Sequence, residues 1–174
     1  MAPRHGAADQ QHETQVTKIM LSIVNAGGFL AAAIFYGTTA SAEQPGPLSA
    51  YQPDLPDSFV ERLRTADTAR GEQLFMRKCS SCHDQEKAGG HGKGPHLWNV
   101  LGRQAGTIEG FEFSEAMKNS GHSWSLATLN YYLTRTDRAV PGLAMEFRGL
   151  RKEKDRADLI AYLRTRNDNP PELP

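Results

Sequence analysis

The feature that most constrains this chain is the five-residue run Cys79-Ser80-Ser81-Cys82-His83. Two cysteines three positions apart, followed at once by histidine, form the attachment signature of a c-type haem. On one helical turn the two thiols can reach neighbouring positions on a porphyrin edge, and the imidazole can approach the iron. The run therefore predicts one covalent haem c, attached through Cys79 and Cys82, with His83 as an iron ligand.

Other uses of a paired-cysteine motif fit the rest of the sequence less well. A structural zinc site needs four ligands, usually as two spaced pairs, whereas the chain has only these two cysteines and no His-x3-His partner. A thioredoxin-like dithiol follows a strand, but the segment before Cys79 has a helical pattern. A disulfide between Cys79 and Cys82 would close too small a loop to stabilise the fold much.

Length and charge limit the architecture and the partners. At 174 residues the chain can form one ordinary domain with an appendage, but not two sizeable cores. Its 20 Lys and Arg residues balance its 20 Asp and Glu residues, so it lacks the basic field that binds nucleic acid. We therefore predict no nucleic-acid partner.

The predicted appendage is the uncharged segment 19–40. At helical rise it spans roughly 33 Å, close to the hydrocarbon thickness of a bilayer. Its glycine and polar residues leave a buried helix in a soluble protein as an alternative. Arg4 and Lys18 precede the segment and no Lys or Arg follows until Arg62, so the positive-inside rule places residues 1–18 in the cytoplasm and the C-terminal bulk outside it.

Two fates of this segment remain open. The small residues Ala40-Ser41-Ala42 fit a signal-peptidase site, and cleavage after Ala42 would release a soluble periplasmic protein. The polar tail 1–18 and the length of the apolar stretch favour an uncleaved transmembrane signal-anchor. Residues 43–66, which begin with a proline-rich stretch, are predicted to form a linker that leads to a haem domain over 67–174.

The haem domain has the sequence signals of an all-α fold with long glycine- and proline-rich loops. Asp67 is a predicted N-cap of a helix that runs to the haem motif, and Ser125 is the N-cap of another. A short helix is predicted over 114–119, and the apolar positions within 159–163 mark the last helix. Such loops suit a small core wrapped around a large apolar cofactor.

A second iron ligand decides whether the metal of a haem protein can bind a substrate. Met145 lies in an irregular Pro-Gly loop between two predicted helices, where its thioether could approach the iron. Met76 is too close to the motif, and Met117 is expected to be a core residue of a helix. His96 and His122 are expected to be surface histidines in loops, which leaves Met145 as the best candidate.

Between about Gly71 and Arg164 the chain resembles the class I cytochromes c of mitochondrial and bacterial respiratory type. Besides the haem motif, the matching segments are Gly94-Pro95, Leu101-Gly102-Arg103, Gly110-Phe111, Trp124, Tyr132, Pro141-Gly142, Met145-x-Phe147-x-Gly149 and 156–163. The uncharged segment, the linker and the runs 94–97 and 113–118 are most similar to the membrane-anchored bacterial branch called cytochrome c-y. The resemblance implies a small helical domain folded around one haem.

The resemblance also implies roles for individual residues near the iron. His83 and Met145 would be the two axial ligands, and the Pro95 carbonyl would accept a hydrogen bond from the His83 ring. Tyr132 would lie near the Met145 sulfur. His91 would hold the loop before Pro95 through a backbone contact.

Further implied roles concern the haem propionates and the docking surface. Arg103 and Trp124 would approach a propionate. Phe113 stands where the family usually has tyrosine, and Leu143 and Ala144 replace a common threonine and lysine. These three departures remove two hydroxyls expected near the propionates and one docking charge, so they alter the usual propionate network and docking surface.

The function implied by the resemblance is one-electron transfer without catalysis. Iron with histidine and methionine ligands is coordinatively saturated, so electrons would pass through the haem edge and no small-molecule substrate would bind. The donor would be a cytochrome bc1-type complex and the acceptor a terminal cytochrome c oxidase, at the periplasmic face of a bacterial inner membrane. A haem enzyme or gas-binding protein would instead need a weak or absent sixth ligand.

Overall fold

A computed structural model describes residues 46–174 of the chain. The predicted cytoplasmic tail 1–18, the membrane segment 19–40 and the possible cleavage site at Ala42 lie outside the described residues. Within the described range, no helix combines the length and apolar character that crossing a bilayer requires.

The described residues form helices joined by long loops, with no β-strand, which confirms the all-α prediction for this part of the chain. The helices are α1 (Asp57–Arg64), α2 (Thr68–Lys78), α3 (Glu115–Lys118), α4 (Leu126–Thr134), α5 (Thr136–Ala139) and α6 (Glu153–Thr165). Within the loops, isolated β-bridges join His83 to His91 and Gln104 to Ser123.

Helices α2 and α4 begin directly after the residues whose side chains were expected to cap them, Asp67 and Ser125. The Asp67 carboxylate accepts a hydrogen bond from the Arg70 amide at 3.0 Å, which caps α2. The Ser114 hydroxyl caps α3 in the same way. At α4, Ser125 and Thr128 form a reciprocal capping box, in which each side chain accepts a hydrogen bond from the other residue's amide. Each cap contributes about 1 kcal/mol.

The first and last helices of the haem domain, α2 and α6, cross at close range. A Cβ at Gly71 would collide with the Asp158 carbonyl oxygen and lie 2.8 Å from the Tyr162 Cβ, so only glycine allows the two backbones to approach this closely. Leu74 and Phe75 of α2 are buried, as their helical spacing predicts. The haem motif therefore follows a helix that α6 holds firmly in place.

A buried carboxylate fastens the same helix pair. Asp158 is 1 % exposed and accepts hydrogen bonds from the Asp67 amide at 3.0 Å, from Lys154 at 3.1 Å and from the Arg70 guanidinium. Burial alone would raise the pKa of Asp158, but the Asp67 amide and the two cations more than offset that effect and lower it. The carboxylate is therefore ionised at neutral pH and links α2 to α6.

The prediction of a linker over 43–66 is corrected for residues 46–66, the part of it that the structure describes. Residues 46–66 pack against the domain: Leu48, Phe59, Val60 and Leu63 are buried, and α1 lies within this range. The proline content suggested an extended tether, but Pro56 precedes the first residue of α1, where proline is well tolerated. The apolar residues at 59, 60 and 63 form one face of a helix, and burying that face outweighs the freedom of a linker.

Candidate functional site

An apolar cavity of about 620 Å³ lies between α2, α4, α6 and the loops that follow the Cys-Ser-Ser-Cys-His run. All eight residues predicted to contact a cofactor line this cavity: Cys79, Cys82, His83, Pro95, Arg103, Trp124, Tyr132 and Met145. They come from six separate parts of the chain, and the fold brings them to one place. The remaining wall is mostly apolar and includes Leu97, Phe111, Met117, Leu129, Leu133, Phe147, Leu159 and Leu163.

The two cysteines follow directly from the end of α2. The Cys79 amide donates to Phe75 at 2.8 Å and the His83 amide donates to Cys79 at 2.9 Å, so the motif continues as helical turns. Burial, with a smaller contribution from Cys82, raises the pKa of Cys79 to about 11. The Cys79 sulfur is therefore a neutral thiol at physiological pH, unlike the reactive thiolate of a redox dithiol.

The imidazole of His83 is oriented by the loop that carries Gly94 and Pro95. Its Nδ1 lies 2.7 Å from the Pro95 carbonyl oxygen, to which the Nδ1 hydrogen donates, and Nε2 is then the nitrogen free to bind a metal. Burial, and to a lesser extent the charge of Arg103, lowers the pKa of His83 against the opposing effect of the Pro95 contact. A neutral, oriented imidazole is the form that ligates iron.

Gly94 makes this orientation possible, because its backbone lies against the imidazole ring. A Cβ at Gly94 would collide with the His83 ring and lie 2.8 Å from Nδ1. Nearby, His91 accepts a hydrogen bond from the His96 amide at 3.1 Å and lies 2.9 Å from the Glu109 carbonyl oxygen. The expected backbone contacts of His91 are therefore present, and they tie the two sides of the loop together.

Met145 is held by hydroxyl groups of α4 and α5. The Tyr132 hydroxyl donates to the Met145 sulfur at 3.9 Å, and burial raises the pKa of Tyr132, which keeps this hydroxyl protonated. The Thr136 hydroxyl donates to the Phe147 carbonyl oxygen, two residues beyond Met145. The thioether thus faces the same cavity as His83, with a hydrogen-bond donor at its sulfur.

Arg103 and Trp124 form the polar part of the cavity wall. The Arg103 guanidinium donates to the backbone carbonyls of Trp98 at 3.3 Å and His96 at 3.2 Å, and among the described residues it forms no ion pair. Burial lowers the pKa of Arg103. A partly buried cation without a carboxylate of the chain beside it suits a carboxylate on a bound cofactor.

The three positions that depart from the resembled family, Phe113, Leu143 and Ala144, all line the cavity. Phe113 lines the cavity and packs edge-on against Phe111 at 4.8 Å between ring centroids, so the aromatic ring is kept while the hydroxyl is lost. Ala144 is exposed beside Met145, so the positive charge of the lysine that it replaces is absent from the protein surface.

His122 is the residue for which the sequence-based expectation was wrong. It was expected to be a surface histidine, but it is 2 % exposed, and neither ring nitrogen has a hydrogen-bond partner among the described residues. Its ring centroid lies 4.4 Å from that of Trp124, and burial lowers its pKa. One signal in the sequence could have indicated this burial. His122 and Trp124 are two residues apart, and in an extended segment that spacing turns both side chains to the same side.

The donor set of the cavity fits a haem. Two thiols, a neutral imidazole and a thioether reach one apolar space, and a guanidinium lies in its wall. Soft sulfur and imidazole donors suit haem iron, and thiols at this spacing suit attachment to the porphyrin edge. The roles of the individual residues as ligands or propionate contacts stay predictions.

Comparison with known proteins gives a consistent result. The family model described as Cytochrome c matches residues 68–167. Cytochrome c of the green alga Chlamydomonas reinhardtii is 48% identical over 98 residues, which cover 56% of this chain and 88% of the relative. Cytochrome c of Guizotia abyssinica is 44% identical over 107 residues, 62% of this chain and 96% of the relative. Cytochrome c of Gibberella zeae is 44% identical over 98 residues, 56% of this chain and 92% of the relative.

Proposed function

This chain belongs to the cytochrome c family, and we propose that it is a one-electron carrier, tethered to a membrane with its haem domain in the periplasm. It carries one covalently attached c-type haem. The observation that supports the proposal most directly is the meeting of Cys79, Cys82, His83 and Met145 at one apolar cavity. In the proposal Cys79 and Cys82 would form the thioether bonds to the haem, and His83 and Met145 would ligate its iron.

A bound haem supplies an iron that cycles between two oxidation states by gaining or losing one electron. The chain's own residues set the conditions for that exchange. The Pro95 carbonyl fixes the ring orientation of His83, and the Tyr132 hydroxyl donates to the Met145 sulfur. The mostly apolar wall would disfavour water beside the bound haem. Because Met145 takes the position that a substrate would need, the proposal assigns no catalytic residue and no small-molecule substrate.

The membrane tether is proposed for residues 19–40, whose lack of charge and flanking Arg4 and Lys18 support a signal-anchor with the haem domain outside the cytoplasm. These features also resemble those of the cytochrome c-y branch. The proposed donor is a cytochrome bc1-type complex and the proposed acceptor a cytochrome c oxidase. Tethering would keep the carrier at a high effective concentration near both membrane partners.

The charges around the cavity support a reliance on tethering. Four exposed charged side chains line it, and Lys78 and Lys93 are balanced by Glu112 and Glu146. A balanced rim provides little of the long-range steering that speeds association between freely diffusing proteins. Membrane confinement would supply the encounter rate that the surface charge does not.

The ligation part of the proposal is tested by replacing one cavity methionine at a time. Met145→Ala should open the iron to carbon monoxide and remove the near-infrared sulfur-to-iron absorption band of the ferric protein. Met117→Ala is the matched control, because Met117 also lines the cavity and is buried. It should keep the band and exclude carbon monoxide. Wild-type protein that binds carbon monoxide readily would overturn the carrier assignment in favour of a gas-binding haem protein.

The tether is tested by membrane fractionation combined with N-terminal mass analysis of the full chain. We expect the protein to remain in the membrane after carbonate extraction and to retain residues 1–42. A soluble product that begins at Glu43 would show that the segment is a signal peptide and that the carrier diffuses in the periplasm. Haem attachment itself is checked by acid-acetone extraction, from which covalent haem stays with the protein.

A further inference from the structure

The described residues that precede α1 lie against the corner between α4 and α5. We name residues 46–56 the N-terminal strap. The Gly46 carbonyl accepts a hydrogen bond from the Tyr131 hydroxyl at 2.6 Å, and the Leu48 amide donates to the Ala139 carbonyl at 2.8 Å. Leu48 is 2 % exposed, and the Tyr51 and Tyr131 ring centroids are 5.2 Å apart. The strap is therefore part of the core and hydrogen-bonded at two points.

The contacts of the strap fall where the Met145 loop begins. Ala139 is the last residue of α5, and the chain runs from there through Pro141 and Gly142 to Met145. The Leu48 amide holds the carbonyl at the base of this loop. A restraint at this point limits how far the whole loop can swing away from the cavity.

The second contact acts through α4. Tyr131 and Tyr132 are consecutive helical residues, so their side chains project about 100° apart around the helix axis. Tyr131 contacts the strap, whereas Tyr132 lines the cavity and donates to the Met145 sulfur. The same turn of α4 is therefore bound by the strap on one side and by the distal methionine on the other.

We propose that the N-terminal strap is a positioning element for the Met145 thioether, with Leu48 and Tyr131 as the residues through which it acts. The match to the family model begins at residue 68, so the strap is additional to the matched domain. By fixing the α4–α5 corner it suppresses local opening of the Met145 loop. The inference rests on the proposed ligation of iron by Met145.

The alternative is that the strap only adds to global stability, as any buried segment would. Two buried leucines that precede the matched domain, one in the strap and one in α1, distinguish a positioning role from a purely stabilising role. Leu48, which is 2 % exposed, lies at the α4–α5 corner, whereas Leu63, which is 3 % exposed, belongs to α1, which packs on α6. Replacement of either by alanine removes the same side-chain atoms from the core, but only Leu48→Ala removes them from the base of the Met145 loop.

The experiment measures how fast added imidazole replaces the sulfur ligand in the full-length ferric haem protein under native conditions. Entry of imidazole requires the loop to open, so the rate reports local opening rather than global unfolding. We expect Leu48→Ala to raise the rate about tenfold and Leu63→Ala to change it by less than about twofold. Tyr131→Phe, which removes only the hydroxyl bonded to Gly46, should raise it by about threefold. Leu48→Met, which conserves volume, should restore the wild-type rate.

The outcomes distinguish a failure of the positioning role of the strap from a failure of the proposed ligation of iron by Met145. Equal rates for Leu48→Ala and Leu63→Ala, together with an unchanged rate for Tyr131→Phe, would overturn the positioning role while leaving Met145 as the ligand. Wild-type protein that binds imidazole as fast as Met145→Ala would overturn the proposed ligation, and the role of the strap with it. If Leu48→Ala does not mature, Tyr131→Phe decides the question, because it keeps the ring and its packing.

Discussion

The two sides of the cavity are built in different ways. On the His83 side, the proposed ligand follows closely after α2, its ring contacts the Pro95 carbonyl, and the backbone of Gly94 lies against the ring. On the Met145 side, the proposed ligand sits in an irregular loop whose far end is fixed by the Leu150 amide, which donates to the Leu133 carbonyl at 2.6 Å. Between its ends the loop is held by the hydroxyl groups of Tyr132 and Thr136. On the first side the backbone packs directly against the proposed ligand, whereas on the second the backbone fixes the end of the loop and side-chain hydrogen bonds hold the segment around Met145.

This difference indicates where the molecule can open. Packed backbones and a helix pair joined through a buried carboxylate resist local motion, because any displacement breaks many contacts at once. A loop held by single hydrogen bonds can open at a cost below that of global unfolding. We therefore expect perturbations of the His83 side to affect haem binding and global stability, and perturbations of the Met145 side to affect ligand exchange first.

The largest effect is expected from a methyl group placed against the His83 ring. Gly94→Ala should reduce the haem content of the matured protein and destabilise it by about 3 kcal/mol, because the new Cβ collides with the imidazole. Gly90→Ala in the same loop is the control, since its Cβ would meet no atom within 4 Å. Haem content and denaturant unfolding of both variants check the prediction. Equal haem content and equal stability of the two variants would show that the His83 ring is not tightly packed against Gly94.

The α2–α6 carboxylate should give the next largest effect and a characteristic pH dependence. Asp158→Asn should cost about 3 kcal/mol at pH 7, because it removes the charge that faces Arg70 and Lys154 in a buried site. The pKa of Asp158 is lowered in the folded protein, so its stabilising effect is full above the unfolded pKa of about 4 and is lost as the pH falls through the folded pKa.

Unfolding curves of wild type and Asp158→Asn between pH 7 and pH 3 check this dependence. The two stabilities should converge towards the acid end of the range. A constant difference over the whole range would mean that the ionised carboxylate is not the source of the stabilisation. The sulfur-to-iron band should change little in the variant at neutral pH, because α2 and α6 do not carry Met145.

The Met145 side is tested by removing one hydroxyl. Thr136→Val deletes the donor to the Phe147 carbonyl in a nearly isosteric side chain and should cost about 1.5 kcal/mol, because it leaves a carbonyl without its partner. The sulfur-to-iron band should then disappear at a lower temperature than the global unfolding transition. Thr65→Val is the control, since the Thr65 hydroxyl donates to Glu61 at an exposed position. Coincident loss of the band and of the fold in Thr136→Val would contradict a separately opening loop.

The predictability of the molecule from its sequence follows the same division. The His83 side could be predicted because its information is local: five consecutive residues specify attachment, and Asp67 specifies the start of the helix before them. The place of Met145 beside Tyr132 required the resemblance to a family, because the two residues are thirteen positions apart in the sequence, with loop and helix between them. No periodic pattern encodes such a contact.

The errors have physical causes of their own. The segment 43–66 was predicted as a linker because its prolines suggested an extended chain. In the structure Leu48 and the apolar face of α1 are buried, and the free energy gained by burying them favours packing against the domain over a free tether. His122 was expected at the surface because isolated loop histidines are usually solvated. Its burial against Trp124 depends on long-range packing that composition does not reveal.

The smallest effect is expected at the cap of α4, the helix that carries both Tyr131 and Tyr132. Ser125→Ala removes one half of the capping box with Thr128 and should lower the free energy of unfolding by about 1 kcal/mol. Because α4 remains packed and both tyrosines keep their contacts, the rate of imidazole exchange at the iron should stay close to that of wild type. Ser58→Ala, at an exposed position within α1, is the control and should change stability by less than about 0.5 kcal/mol. An exchange rate that rises in Ser125→Ala as much as the rate expected for Leu48→Ala would show that the whole of α4, and not the loop alone, moves when the Met145 loop opens.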